Sequence, residues 1–169
     1  ALLGGIVALK GIRVNEPDTR QDNTLQAWPW YPETFSWVEP TAWCVLALKK
    51  LKAIAPPDSA ARIAEAERML ENRCCEIGGW NYGNASALGQ DLRPHVPPTA
   101  MALLSLHDRR DRPFVVKSID FLDGAQLKEQ SGAALGLTAL CLRVYGRDPA
   151  SVEARLADVS VQTEALGNI

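Results

Sequence analysis

One pattern recurs in this chain and limits what it can fold into: an apolar helix restarted at Pro-Thr-Ala. The fullest copy runs from Ser36 to Leu51 and carries Glu39-Pro40-Thr41-Ala42 at its start. A second copy runs from Pro98-Thr99-Ala100 to Leu106, and a looser third from Ala133 to Leu140. Proline suits the first helical position, because its fixed φ and missing N–H cost nothing there. From Ala42 to Leu48 the run is apolar on every side, which predicts a buried helix rather than a surface one. Recurrence of such a unit predicts an array of similar pieces.

Between the apolar runs the periodicity changes. Residues 59–73 place Ile63, Ala66 and Leu70 on one face and Arg62, Glu65, Arg68 and Glu71 elsewhere, which predicts an amphipathic outer helix introduced by Pro56-Pro57-Asp58. Pro113 opens a second one with Val115, Ile119 and Leu122 in step. Asp148-Pro149 opens a third, with Val152, Leu156, Val159 and Thr163. The third inner helix is expected over about 131–145. Leu2 to Leu9 reads as the tail of an earlier inner helix closed at Gly11. Residues 12–27, with Pro17, read as loop, and so does the glycine-punctuated stretch from Gly78 to Asn84. The inner registers are expected to align Leu9, Leu48, Leu106 and Leu140 at unequal intervals, as hairpins with loop insertions would. No strand pattern is evident, so the expected fold is all-α in a single domain over residues 1–169.

A chain of 169 residues with 47% hydrophobic and 22% charged residues can bury a core of its own. Its net charge of −2 gives no ground for a nucleic-acid partner. No apolar run approaches the roughly 20 residues that span a bilayer. Cys44 and Cys141 sit in apolar helical runs and Cys74 and Cys75 are adjacent, so no disulfide framework is expected and a reducing, cytoplasmic setting is. The apolar start at Ala1 reads as a helix cut midway, hence a fragment of a longer protein, and an export signal upstream stays open.

Buried and amphipathic helices in alternation, joined by Gly78-Gly79-Trp80 and restarted at Pro-Thr-Ala, resemble the prenyltransferase and squalene-hopene cyclase repeat. Gly78-Gly79-Trp80 is similar to the end of that family's Gln/Trp motif, with Cys74 or Cys75 where glutamine is expected; Gln26 with Trp28 resembles a compressed copy. The third repeat has Gln126 and Gln130 but no tryptophan. The resemblance implies an α/α toroid of inner and outer helices around an apolar cavity for isoprenoid chains. A complete ring carries more helices than the pattern supplies, so it also implies a partial ring, completed by missing sequence or by a homo-oligomer.

The resemblance extends to candidate chemistry. Related cyclases protonate an alkene with an Asp-x-Asp-Asp motif directly before Thr-Ala. Here Trp37-Val38-Glu39-Pro40 stands in that place, and Glu39 falls on the central acid. Such an acid needs neighbouring groups to hold and sharpen it. The plainer reading of Glu39 is a carboxylate favoured by the helix dipole. Trp30, Trp37, Trp43 and Tyr82 are candidate substrate-binding residues through cation–π contact, or core packing. His95 occupies the place of Trp37 in the second copy, facing a cavity mouth or lying in a polar loop. The family's transferases use zinc, but the spacing of Cys74, Cys75, Asp91 and His95 does not match a ligand set, so neither metal nor cofactor is expected. Arg109-Arg110-Asp111-Arg112 reads as a diphosphate grip or as a solvated turn. The function these readings imply is action on an isoprenoid, with acid-initiated cyclisation as one form and a non-catalytic toroid binding a lipid or protein as the alternative.

Overall fold

The computed structural model describes residues 2–14 and 20–165. Ala1 and Pro17 lie outside the described residues, as does the side chain of Thr163. Seven α-helices make up the described fold: α1 Leu2–Ala8, α2 Val38–Lys50, α3 Ser59–Asn72, α4 Val96–Ser105, α5 Pro113–Ala125, α6 Gly132–Val144 and α7 Ala150–Ala165. The all-α expectation holds. The exception is a two-residue antiparallel hairpin that pairs Ser86 with Asp91 and Ala87 with Gln90, too short to leave an alternating pattern.

Helices α2, α4 and α6 are the apolar ones and pack side by side, α4 between the other two. Each is followed by its amphipathic partner, α3 on α2, α5 on α4 and α7 on α6. Burial follows the amphipathic stripes: Ala66, Met69 and Leu70 on α3, Val115, Ile119 and Leu122 on α5, and Val152 on α7. Leu48, Leu106 and Leu142 are sealed in the core, each worth about 1.5–3 kcal/mol of transfer free energy.

Four expectations change. Leu142, not Leu140, is the third register residue: Leu142 is 0% exposed and Leu140 51%. The two lie about 200° apart around a helix, and an all-apolar run gives no cue for choosing between them. Arg62 is only 4% exposed rather than on the wet face. Prolines 40 and 98 stand third in their helices, which begin at Val38 and Val96; the first turn needs no N–H from them either way. Asp58 is at the N-cap of α3 without a side-chain capping bond, whereas Asp148, two residues before α7, accepts from Ala150 N at 3.0 Å.

Candidate functional site

Two nearly superposable hydrogen-bonded frames set the starts of α2 and α4. In the first, Trp28 N donates to the Thr41 hydroxyl at 3.1 Å, and that hydroxyl donates to Trp28 O at 3.4 Å. In the second, Trp80 N donates to Thr99 Oγ1 at 2.9 Å, and Thr99 Oγ1 donates to Trp80 O at 3.4 Å. Trp28 O also accepts from Trp37 N at 3.0 Å and Trp80 O from His95 N at 2.9 Å. Trp37 and His95 are thus equivalent N-caps, with φ, ψ of −115, 154 and −117, 152. Both tryptophans are fully buried. Their indole N–H groups end on the preceding helix, at Ile6 O and Leu70 O, each 2.7 Å away.

The frames explain the recurring sequence. Threonine after proline supplies a hydroxyl facing back from the first turn, able to accept and donate at once. Gly78 and Gly79 take φ of +90 and +77, and a Cβ at Gly79 would lie 2.8 Å from Phe121 and Thr99 side-chain atoms. The first frame has Gln26-Ala27 there instead, with Gln26 Nε2 bonded to Gly11 O at 2.8 Å. The equivalence also reassigns α1. Ile6 serves Trp28 as Leu70 serves Trp80, and Gly11 N donates to Ala27 O as Cys75 N donates to Gly79 O. Helix α1 therefore takes the place of the outer helix α3, not of an inner one. The third unit has no tryptophan; its loop is a short 3₁₀ turn at Gln126–Lys128, and Ser131 caps α6 through Ala134 N at 3.3 Å.

Counting from the N-caps Trp37, His95 and Ser131 places residues of the three inner helices in register. Trp43, Met101 and Leu137 share one position, and Leu46, Leu104 and Leu140 the next on the same face, three residues on. All six are apolar. On α4 they are sealed, with Met101 2% and Leu104 8% exposed, whereas on the flanking helices Trp43 and Leu140 are each 51% exposed. Helices α2 and α6 thus turn an apolar strip outward on either side of α4, which corrects the reading of 42–48 as buried all round. Glu39 lies one turn before Trp43 on the same face of α2, half-buried, at the N-terminal end of the strip.

An aromatic ledge stands at the same end. Phe35 stacks on Trp37 with centroids 4.7 Å apart, and Tyr82 lies against His95 at 5.3 Å. Val38 N donates to Tyr82 O at 2.9 Å, and the Trp37 ring covers Gly83 at 3.0 Å from where a Cβ would stand. The structure therefore brings together Trp37, Tyr82 and His95, and sets Glu39 and Trp43 on the adjoining helix turns. Trp30 is not among them: it is 58% exposed in the loop, as Tyr31 is at 76%, and so is not packed in the core. Phe35, Leu46, Leu137 and Leu140 were missed as site residues. Equal distance from Pro-Thr-Ala was the available signal for Leu46, which matches Leu104; α6 carries no such triplet.

No side chain among the described residues hydrogen-bonds or pairs with the Glu39 carboxylate. At the positions equivalent to Glu39 stand Pro97 and Ala133. Nor does any group of three or more His, Cys, Asp or Glu among the described residues form a metal site; all four cysteines are free thiols. The basic run is committed elsewhere: Arg109 pairs with Glu67 at 2.9 Å, Arg112 with Glu71 at 2.8 Å, and Arg110 donates to His107 O. It staples the α4–α5 turn onto α3. No described helix is long and apolar enough to cross a membrane.

No protein-family model, curated protein or solved structure matches the chain.

Proposed function

We propose that this chain is part of an α/α toroid of the prenyltransferase and squalene-cyclase kind. On this reading its inner face, lined by Trp43, Leu46, Leu137 and Leu140, binds an isoprenoid or another long apolar molecule. The observation that carries the reading is the outward apolar strip, held in register by the Trp28–Thr41 and Trp80–Thr99 frames. Trp43 on α2 and Leu140 on α6, each 51% exposed and one helical turn apart in register, offer a long apolar molecule contact on either side of α4, worth about 25 cal/mol per Å2 covered. The aromatic ledge of Trp37, Tyr82 and His95 lies at the end where a head group or reacting end would sit.

Binding is better supported than acid-initiated cyclisation. Glu39 stands at the right end of the strip, which favours a catalytic role, but no second acid or histidine among the described residues bonds it to hold its proton in place. The test is mass spectrometry of lipid retained by the full-length protein after incubation with squalene and a series of prenyl diphosphates, with product analysis alongside. Retained isoprenoid that is lost in Trp43→Ser/Leu140→Ser, at unchanged melting temperature, supports the reading. Absence of retained isoprenoid in the wild type overturns it. A cyclised product would move the function to catalysis.

A further inference from the structure

A second site, independent of the apolar strip, lies where the two frame-bearing loops meet the end of α3. Arg73, the C-cap of α3, is 4% exposed. Its Nη1 donates to Asn84 Oδ1 at 2.9 Å and its Nη2 to Asn23 Oδ1 at 2.7 Å, while its Nε is buried without a partner. No carboxylate among the described residues forms an ion pair with it. Asp22 is the acid whose charge reaches it, and that carboxylate is taken up by Thr24, through N at 2.9 Å and Oγ1 at 2.5 Å. Burial lowers the pKa of Arg73 to about 10, so a positive charge is held there at neutral pH at the expense of its hydration.

The guanidinium borders a cavity of about 70 Å3. That exceeds the roughly 10–15 Å3 a single water requires and admits a small oxyanion. Among the described residues its polar walls are Gln21, Asn23, Ser36, Arg73 and Asn84, the rest is apolar, and no acidic side chain lines it. The acceptors in that wall are already engaged: both asparagine oxygens by Arg73, Gln21 Oε1 by Ala85 N at 3.2 Å, and Ser36 Oγ by Ala27 N at 2.8 Å. Donors remain, namely the further guanidinium N–H groups, the Ser36 hydroxyl proton and the Asn84 amide. A cavity with one buried positive charge, surplus donors and no free carboxylate among the described residues is complementary to an anion.

We propose that this cavity binds a small oxyanion, a carboxylate or a phosphate, as the counter-charge of Arg73. The anion joins the 20–25 and 80–85 loops and so fixes the relation between the two frames.

The experiment follows the thermal midpoint of the full-length protein at constant ionic strength. Sodium gluconate, too large for the cavity, is replaced by formate in one arm and inorganic phosphate in the other. The midpoint is expected to rise saturably, by about 5–10 °C at a hundredfold excess over the dissociation constant. The arm with the lower half-saturation identifies the ligand. Asn84→Asp supplies an internal carboxylate to Arg73 and is expected to fold without added anion and to raise the half-saturating concentration at least tenfold. Arg73→Gln is expected to abolish the response; if it does not fold, Asn84→Asp decides. A wild-type midpoint that responds to neither anion beyond gluconate overturns the proposal. So does an Asn84→Asp response equal to that of the wild type.

Discussion

Thr99 clasps Trp80 on both sides of one residue, accepting from its N–H at 2.9 Å and donating to its carbonyl at 3.4 Å. The loop that carries the tryptophan is thereby tied to the first turn of α4. Thr41 and Trp28 repeat the arrangement on α2.

Replacing Thr99 with valine keeps the shape and removes the hydroxyl, leaving the buried Trp80 N–H without its acceptor. The expected loss is about 1–3 kcal/mol, read as a lower urea midpoint at unchanged slope. Thr99→Ser should recover most of it. A valine variant as stable as the wild type would mean that the frame does not hold the loop.

Glycine substitutions separate backbone strain from space. Gly79→Ala forces a Cβ against Phe121, Thr99 and Pro94 at a φ of +77, and should cost well over the roughly 1 kcal/mol of a left-handed residue alone. Gly89→Ala, at φ +73 with nothing within 4 Å, should cost about that amount. Gly124→Ala inside α5 also meets nothing within 4 Å and should stabilise by about 0.5–1 kcal/mol. Thermal melts of the three should fall in that order.

Arg62 is the second buried guanidinium, and its Nη groups are engaged by backbone carbonyls, although its Nε, like that of Arg73, is buried without a partner. It donates to Gln26 O at 2.7 Å, Leu9 O at 3.0 Å and Ala27 O at 3.2 Å, and lies 4.4 Å over the Trp28 ring. Arg62→Met leaves the Gln26 and Leu9 carbonyls unmatched, while Ala27 O keeps its bond from Gly11 N, and should cost about 3 kcal/mol. Arg62→Lys should recover only part, because an ammonium cannot reproduce the planar fork. Equal stability of the methionine variant and the wild type would show these bonds to be idle.

Much of the element order was legible because punctuation and periodicity agreed. Proline and Asp-Pro opened α5 and α7, glycine closed loops, and the stripe Val115, Ile119, Leu122 faced the core. The equivalence of Trp37 and His95 followed from their common distance to Pro-Thr-Ala. What failed did so for physical reasons. Leu140 and Leu142 differ in neither polarity nor size, so hydrophobicity could not select the buried one. Arg62 passed for a surface residue because the carbonyls that satisfy it come from residues far away in sequence. Helix α1 passed for an inner helix because its glycines and leucines are apolar throughout, and the Trp28 indole bond to Ile6 O together with the Gly11 N bond to Ala27 O shows its place. The candidate site was half legible: Glu39 and Trp43 share a face by spacing alone, but the ledge depends on a loop folding back across α2.

Acid should weaken the α2–α3–α4 junction through Asp108. Burial raises the pKa of its carboxyl, but the hydrogen bond and charge of Lys49 outweigh that and leave it below the usual value of 3.8. Lys49 also forms an ion pair with Glu67 at 2.7 Å and donates to Ser105 O at 2.7 Å. A depressed folded-state pKa contributes stability that is present above the unfolded value and lost as pH falls through the folded one. Asp108→Asn should therefore lower stability at pH 7 by up to about 1 kcal/mol, as its side chain is 45% exposed. The gap to the wild type should close below about pH 4. A gap independent of pH would assign the effect to packing instead.

Glu39 gives the sharpest division between binding and catalysis. It precedes Trp43 by one helical turn and has no partner among the described residues, so Glu39→Gln removes a carboxylate without orphaning a donor. Loss of the helix-dipole contribution should cost about 0.3–1 kcal/mol and no more. If the strip only binds, the variant should retain isoprenoid as the wild type does, at the same half-saturating concentration. If Glu39 protonates a bound alkene, retention should persist while any cyclised product disappears, because a neutral amide has no proton of comparable acidity to give. Loss of retention itself would place the carboxylate in the binding contact and contradict both.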